Sequence, residues 1–359
     1  MPEQNSNPQS LRWMIYGANG YTGELIAREA VRRGLQPVLA GRSRGKVEAL
    51  ASELGLTTRA FGLDDPSLAA GQLADIDLVM HCAGPFSVTA APMMAACLEA
   101  GTHYLDITGE ISVFEHAQSL DAQARQKGVV ICPGVGFDVI PTDCVAAALK
   151  AALPDATHLS LGFDADSSLS PGTAKTSVEG MAQGGKVRRD GRIVTVPLAY
   201  EVRRIDFGNG ARHAMTIPWG DVATAYHTTG IPNIEVFIPG PLPVIYGAKA
   251  ANLARPLLAL APVQRALKAL VDKVITGPDD QQRAGKATYV WGEARNAKGE
   301  KKTARVRTEN VYSLTITGSL AVIEHLMQHQ PTGGAYTPAR LVGADLVTSL
   351  PGSGPMQIS

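Results

Sequence analysis

The amino-acid sequence predicts an α/β protein with two domains: a Rossmann domain built on a doubly wound parallel sheet, and an α+β domain with a mainly antiparallel sheet. Strand and helix patterns alternate between residues 11 and 150, which is typical of parallel sheets. Turn pairs such as Asp190-Gly191 and Asn209-Gly210 follow after residue 153 and are typical of antiparallel hairpins. A chain of 359 residues is long enough for both domains.

A glycine-rich turn joins the first predicted strand, 11–16, to the first predicted helix, 22–33. Its three glycines stand three residues apart. Glycines let backbone approach a pyrophosphate closely, and the positive end of the helix dipole faces the phosphates. The turn therefore predicts a dinucleotide site, and the alternative is a structural turn without a ligand. The predicted cofactor contacts here are Gly17, Asn19, Gly20, Tyr21, Thr22 and Gly23.

The loop after the second predicted strand, 37–41, indicates which dinucleotide binds. NAD-binding proteins usually carry Asp or Glu in this loop, whereas this chain carries Arg42 followed by Ser43. A guanidinium can bond a 2′-phosphate through two N–H groups, and a carboxylate would repel it. The loop therefore favours NADP(H) over NAD(H). The alternative is a solvated basic loop.

Another loop follows the buried strand predicted at 77–82, where the nicotinamide half of a dinucleotide binds in such folds. Phe86 either packs on the nicotinamide or substrate, or only closes the interface between the domains. Cys82 is either a free structural thiol or a catalytic one. The predicted cofactor contacts in this loop are Cys82, Ala83, Gly84, Pro85 and Phe86.

Pattern and composition divide the chain into four parts. Residues 1–10 are polar and predict a disordered tail, 11–150 the dinucleotide-binding domain, 151–310 the α+β substrate domain, and 311–359 C-terminal helices. Further helices are predicted at 46–54, 67–74, 91–100, 112–126, 141–152, 173–183, 310–327 and 337–349. Further strands are predicted at 57–61, 103–106, 129–132, 157–163, 202–206, 211–217, 234–238, 286–295 and 302–308.

The stretch 236–270 is apolar and rich in proline, and its leucines suggest an amphipathic helix broken near Pro262. Four interpretations remain open for it: protein core, the surface of a homodimer, a groove for an acyl chain, or a patch that contacts a membrane.

Seven stretches of the sequence resemble the saccharopine dehydrogenase-like oxidoreductases, in particular the branch that includes trans-acting enoyl reductases. The resemblance implies NADP(H) as the cofactor, a second mixed α/β domain, and reduction of a C=C or C=N bond. It also implies that 311–359 packs back on the first domain. The stretches are GANGYTG at 17–23, AGRS at 40–43, CAGPF at 82–86, YLDITGE at 104–110, PGVGFDVIPTD at 133–143, SPGTAK at 170–175 and GGAYTP at 333–338.

The function predicted from these observations is NADPH-dependent reduction of a C=C bond, in a lipid- or polyketide-like enoyl substrate, by hydride transfer. The alternatives are a saccharopine-type C=N reductase, and a non-catalytic NADP(H)-binding regulator or lipid-associated scaffold. The candidate proton donors, expected on loops that face the cleft, are Lys175, Tyr226 and His227, with His213 behind them; protonation by water is the alternative. Asp138 and Asp143 are expected to cap the helix 141–152.

The composition of the chain limits the classes of binding partner that the sequence predicts. Lys+Arg and Asp+Glu balance at 33 each, so no basic field attracts nucleic acid. The four cysteines form no metal-ligand pattern, and free thiols suit a reducing cytoplasm. The sequence therefore predicts a cytoplasmic or membrane-peripheral protein with a small-molecule substrate, no metal and no nucleic acid. Contact with a membrane surface and homodimerisation are the further partners it allows.

Overall fold

A computed structural model of the chain describes residues 11–165, 178, 180, 182–274 and 287–359. The chain divides into two compact units, each with its own sheet. The first unit comprises Met1–Asp106, His116–Pro133 and Ser319–Ala335. The second comprises Ile107–Glu115, Gly134–Gly318 and Tyr336–Ser359.

The sheet of the first unit is parallel throughout, with the order β15-β6-β5-β4-β1-β2-β3. The predicted doubly wound fold is confirmed. Its core strands are buried on both faces because helices alternate with them along the chain. The elements of this unit are β1 (Trp13–Tyr16), α1 (Tyr21–Arg32), β2 (Val38–Gly41), α2 (Arg44–Leu54), β3 (Thr58–Ala60), α3 (Pro66–Leu73), β4 (Leu78–His81), α4 (Phe86–Ala100), β5 (His103–Asp106), α6 (Asp121–Lys127), β6 (Val130–Cys132) and β15 (Gly334–Ala335).

Two predicted helices in this part of the chain have different limits in the structure. The helix predicted at 91–100 starts at Phe86, so Pro92 lies inside the helix and not in its first turn. The helix predicted at 112–126 is two helices, α5 (Ile111–Ser119) and α6, which meet at Leu120. The periodic apolar pattern continues across that junction and conceals it.

The second unit contains a mixed sheet with the order β10-β11-β12-β7-β13-β14-β16, and β8 pairs with both β12 and β9. Every pair is antiparallel except β12 with β7, which confirms the mainly antiparallel sheet. The elements are α7 (Ile140–Ala152), β7 (Ala156–Ala165), β8 (Gly185–Arg189), β9 (Arg192–Val196), β10 (Val202–Asp206), β11 (Ala211–Thr216), α8 (Asp221–Thr229), β12 (Asn233–Pro239), α9 (Leu242–Leu258), α10 (Ala261–Val274), β13 (Thr288–Asn296), β14 (Lys301–Thr308), α11 (Val311–Gln328), α12 (Pro338–Leu341), α13 (Leu346–Ser349) and β16 (Gln357–Ile358). Helix α11 belongs to this unit only as far as Gly318, and its remainder belongs to the first unit.

Helix α7 packs directly on this mixed sheet. A side chain on Gly292 of β13 would come within 2.6 Å of Val145 and 2.8 Å of Leu149, so glycine is required for the close approach. The single helix predicted at 337–349 is instead two short helices, α12 and α13. They are separated at Gly343, whose φ of +126° cannot continue a helix.

Candidate functional site

The turn between β1 and α1 is built around Gly17. Gly17 has a φ of +84°, and a side chain on it would lie 2.7 Å from the backbone nitrogen of Ala83. The N–H groups of Gly17 and Ala18 donate to the same acceptor, the Ala40 carbonyl, at 2.8 and 3.1 Å. Only glycine combines this backbone conformation with this close approach to two neighbouring strands.

The other two glycines of the turn have different roles. A side chain on Gly23, inside α1, would lie 2.3 Å from the Gly17 carbonyl oxygen, so Gly23 lets the helix pack against the turn. Gly20 is the N-cap of α1, and a side chain there would meet only the same oxygen, at 3.2 Å. Gly20 therefore leaves its outer side open, where the first helical amides have no acceptor within the helix.

The remaining predicted residues of the turn also lie at this end of α1. Tyr21 and Thr22 are its first two residues. The side-chain oxygen of Asn19 lies 3.0 Å from the position that a side chain on Gly41 would occupy. Asn19 thus lies between the glycine turn and the end of β2, which brings the turn and the loop after β2 together.

Arg42 and Ser43 follow β2 directly and are exposed. Ser43 is the N-cap of α2, but its side chain makes no capping hydrogen bond. Across the described ranges of the chain, Arg42 has no hydrogen bond or ion pair, whereas Arg44 lies 3.4 Å from Glu48. Burial raises the pKa of Tyr16, and the nearby Arg42 charge partly offsets this rise. Arg42 is thus a cation available to an added phosphate.

The loop after β4 differs from its prediction at Phe86. The Gly84–Pro85 peptide is cis, and Phe86 is the first residue of α4 rather than a loop residue. The ring of Phe86 packs edge-on against His81, with 5.5 Å between the ring centres. Burial raises the pKa of the Cys82 thiol, and the nearby Asp106 carboxylate raises it further. A protonated thiol is a poor nucleophile, which weighs against the catalytic interpretation of Cys82.

His81 supports this loop and was not singled out from the sequence. Its Nε2 lies 3.0 Å from the hydroxyl oxygen of Thr89, and that hydroxyl donates its hydrogen to the Ala83 carbonyl at 2.6 Å. The Nε2 atom must therefore be the donor to Thr89. Burial lowers the pKa of His81 to about 3, so the ring is neutral. The only signal in the sequence is a histidine inside an otherwise apolar strand.

Comparison of the sequence with protein-family models indicates what this turn binds. Residues 13–132 match the model of the saccharopine dehydrogenase NADP binding domain. The match covers about a third of the chain, and we call residues 13–132 the NADP-binding domain. The predicted choice of NADP(H) is thereby confirmed, and Arg42 and the open side of Gly20 fit the extra phosphate and the pyrophosphate.

Part of the chain is similar in sequence to known proteins. The chain is 32% identical over 138 residues to a trans-acting enoyl reductase of Mycobacterium bovis, covering 36% of this chain and 33% of that protein. It is 30% identical over 152 residues to a human saccharopine dehydrogenase-like oxidoreductase, covering 36% of this chain and 35% of that protein. The chain thus spans about a third of the length of the curated relatives it matches.

The fold is shared over a longer range than the sequence. The saccharopine dehydrogenase (L-Glu forming) of Saccharomyces cerevisiae matches 97% of this chain and 100% of its own chain, with a TM-score of 0.59 and 13% identity. This match shows a shared fold, and the resemblance predicted from the sequence is confirmed by the family model and the curated relatives.

In the second unit, Asp138 lies in the segment that leads from β6 to α7. Its carboxylate does not cap α7, because the N-cap is Val139 and makes no side-chain hydrogen bond. Asp138 Oδ2 lies 2.7 Å from the position that a side chain on Gly109 would occupy, and the Asp138 carbonyl accepts from the Trp219 indole at 2.9 Å. Burial raises the pKa of Asp138 to about 7, although part of the residue is exposed.

Asp143 likewise does not cap α7, contrary to the sequence prediction. It lies in the first turn of α7, fully buried, and accepts from the Thr228 hydroxyl and, at 2.8 Å, from the Ala339 N–H. Burial raises its pKa to about 6. The buried Asp221 accepts from Thr142 at 2.7 Å, and burial raises its pKa well above the usual value. We call Asp143 and Asp221 the carboxyl cluster.

Tyr226 and His227 lie in helix α8, not on a loop as predicted. The Arg188 guanidinium stacks on the Tyr226 ring at 4.2 Å and donates to Glu115 at 2.9 Å, and His227 Nε2 lies 3.3 Å from the same Glu115 oxygen. Both predicted donors therefore take part in an ionic cluster around Arg188. Their catalytic roles stay predictions.

The other two predicted residues are separate from this cluster or outside the described residues. Lys175 lies outside the part of the chain that the structure describes. His213 is exposed on β11, opposite Arg204. Among the described residues, no group of three His, Cys, Asp or Glu side chains is placed to hold a metal ion.

A charged cavity of about 590 Å³ lies on the sheet of the second unit. Arg203 is at its centre, donating to Glu201 and, at 3.1 Å, to Ser160, with Glu235 3.5 Å away. Burial and the neighbouring Glu201 raise the pKa of Glu235. Its charged lining is Arg189, Arg203, Arg295, Lys301, Glu201, Glu235 and Glu293. Sequence reasoning missed the cavity because its residues come from many separate strands.

Proposed function

We propose that this protein is an NADPH-dependent oxidoreductase that reduces the C=C bond of an enoyl substrate. One observation carries the proposal: a glycine turn and an unpaired Arg42 stand together at the carboxyl ends of β1 and β2. When bound, NADPH supplies the hydride that the reaction needs. The similarity to a trans-acting enoyl reductase supports C=C as the bond reduced.

Several residues of the NADP-binding domain would hold the cofactor. The open side of Gly20 and the N-terminus of α1 suit the pyrophosphate, because the helix dipole and free amides attract anions. Arg42 and Ser43 suit the 2′-phosphate. The loop from Cys82 to Phe86, held in place by His81 and Thr89, suits the nicotinamide half.

Asp138 is our choice for the group that delivers the proton. It lies six residues after Cys132, the last residue of β6, and ligands of parallel sheets bind beyond the carboxyl ends of their strands. Within the described residues, its carboxylate accepts no hydrogen bond, unlike Asp143. A partly exposed carboxyl with a pKa of about 7 can hold a proton at neutral pH and release it to a carbanion.

Steady-state kinetics of Asp138→Asn test this role. We expect kcat to fall by about 100-fold, the usual contribution of a general acid, while the Kd for NADPH stays unchanged. The wild-type kcat should fall as the pH rises through about 7, because the acid must be protonated, and the variant should lose that fall. Tyr226→Phe and His227→Gln serve as matched controls. A normal rate in Asp138→Asn, or a large loss only in a control, would assign the proton to another group.

Oxidation of NADPH with a panel of acceptors tests the reaction itself. We expect turnover with enoyl thioesters or enoyl lipids. A second candidate, reduction of the C=N bond of an amino-dicarboxylic substrate, is supported by the similarity to a saccharopine dehydrogenase-like oxidoreductase. It predicts turnover that depends on 2-oxoglutarate and an amine. Tight NADPH binding without turnover on any acceptor would indicate a non-catalytic regulator instead.

A further inference from the structure

Helix α9 presents an apolar face to solvent. The face consists of Leu242, Tyr246, Leu253 and Leu257, which we call the apolar stripe, and these residues are between 41% and 90% exposed. They are spaced by four, seven and four residues, which places them on one side of a helix. Large apolar side chains on a solvent-facing stripe indicate a surface that meets an apolar partner.

The opposite side of α9 attaches it to the second unit. Ile245 is buried, Asn252 accepts from the Leu198 N–H at 2.7 Å and donates to the Leu198 carbonyl at 3.1 Å, and Arg255 donates to the Gln183 carbonyl at 3.0 Å. The helix is therefore oriented opposite to an ordinary amphipathic surface helix. Polar side chains are directed to the protein, and leucines are directed away from it. Folding alone does not account for this arrangement, since it leaves most of the apolar area in water.

The apolar surface continues into α10. Leu260 lies between the two helices and Leu270 within α10, and both are at least half exposed. Of the twelve large apolar side chains that are strongly exposed in the described ranges, seven lie between residues 242 and 270. Exposed apolar area is thus concentrated in one helical pair. None of the helices in the described ranges has the length and apolar character to cross a membrane.

The charge of the segment identifies the partner. Within α9 and α10 the sequence carries five basic residues, Lys249, Arg255, Arg265, Lys268 and Lys273, and one acidic residue, Asp272; Arg255 is the one that bonds Gln183. A second copy of the chain would bring two positive faces together, whereas an anionic surface attracts them. We propose that α9 and α10 bind in the plane of an anionic lipid bilayer, with the apolar stripe inserted at the headgroup boundary.

Vesicle sedimentation tests the proposal with the full-length protein and without NADPH or substrate. The probes are vesicles of phosphatidylcholine alone and of phosphatidylcholine with phosphatidylserine. We expect binding to the anionic vesicles, and weaker binding as salt rises because Lys and Arg charges are screened. Leu253→Asp should lower the partition coefficient at least about tenfold. The change removes a leucine that would insert into the bilayer, and it adds a negative charge that the anionic lipid repels. The matched control, Leu68→Asp, changes a leucine of α3 that is 72% exposed and lies outside the apolar stripe, and it should bind as the wild type does.

Several outcomes would overturn the proposal: no binding of wild type to anionic vesicles, equal loss in Leu68→Asp, or a wild-type dimer in sedimentation equilibrium that Leu253→Asp dissociates. The last result would make the stripe a homodimer surface. An unchanged circular dichroism spectrum and an unchanged urea unfolding midpoint of Leu253→Asp establish that the variant is folded, since Leu253 lies in the second unit.

Discussion

The glycine turn of the NADP-binding domain and the carboxyl cluster of the second unit are both compact polar regions, but they are built in opposite ways. The turn uses seven consecutive residues and acts through its backbone. Close contacts leave no room for a side chain at Gly17 or Gly23. The carboxyl cluster consists of side chains of α7 and α8 and is bonded by a backbone N–H of α12, and these helices are far apart in the chain. A local backbone site has a sequence pattern, whereas a site assembled by packing has none.

The largest effect is expected from Gly23→Ala, which tests how strictly the turn depends on its backbone. A Cβ 2.3 Å from the Gly17 oxygen forces α1 away from the turn, at a cost of about 2–3 kcal/mol of unfolding free energy. NADPH binding should be lost as well. Urea denaturation and fluorescence titration measure the two effects. Gly45→Ala is the control, because a side chain there meets no atom within 4 Å. Alanine should make α2 slightly more stable.

Arg42→Asp tests whether one side chain outside the turn sets cofactor choice. We expect NADPH affinity to fall by about 2 kcal/mol, because a charge-assisted bond to the 2′-phosphate is replaced by repulsion, while NADH affinity holds or rises. Isothermal titration with both cofactors measures this. Arg44→Asp is the control, since Arg44 is already paired with Glu48. If NADPH affinity survived in Arg42→Asp, another group would have to select the phosphate.

The smallest effect is expected from Asp143→Asn, which tests the carboxyl cluster. The pKa of Asp143 is raised by burial from 3.8 to about 6, so folding favours the protonated form. Its contribution to stability is complete below about pH 4 and is lost as the pH rises to about 6. Relative to Asp143→Asn, wild type should therefore lose about 1–2 kcal/mol of unfolding free energy across that interval.

Urea denaturation at several pH values measures this difference. Asp206→Asn is the matched control, because Gly208 and Gly210 N–H groups lower the pKa of Asp206 and leave its contribution constant between pH 4 and 6. A difference between wild type and Asp143→Asn that does not change with pH would show that Asp143 is ionised throughout.

The sequence was sufficient for the first sheet, the hairpins and the cofactor, since each depends on residues close together in the chain. It could not show that Asp138 and Asp143 are not caps, because burial by distant elements decides what a carboxylate contacts. The apolar stripe is an intermediate case. The apolar composition of the stretch 236–270 was evident from the sequence. The direction in which Leu253 points depends on the hydrogen bonds of Asn252 and Arg255 to the rest of the second unit.

Transfer of deuterium from NADPH labelled at C4 tests the central claim most directly. After turnover with the best enoyl acceptor, we predict a reduced product that carries one deuterium at the carbon that received the hydride, and the same label should be absent when Gly23→Ala replaces wild type. An unlabelled product, or the absence of any reduced product across enoyl and imine acceptors despite tight NADPH binding, would contradict the proposal that this protein is a reductase.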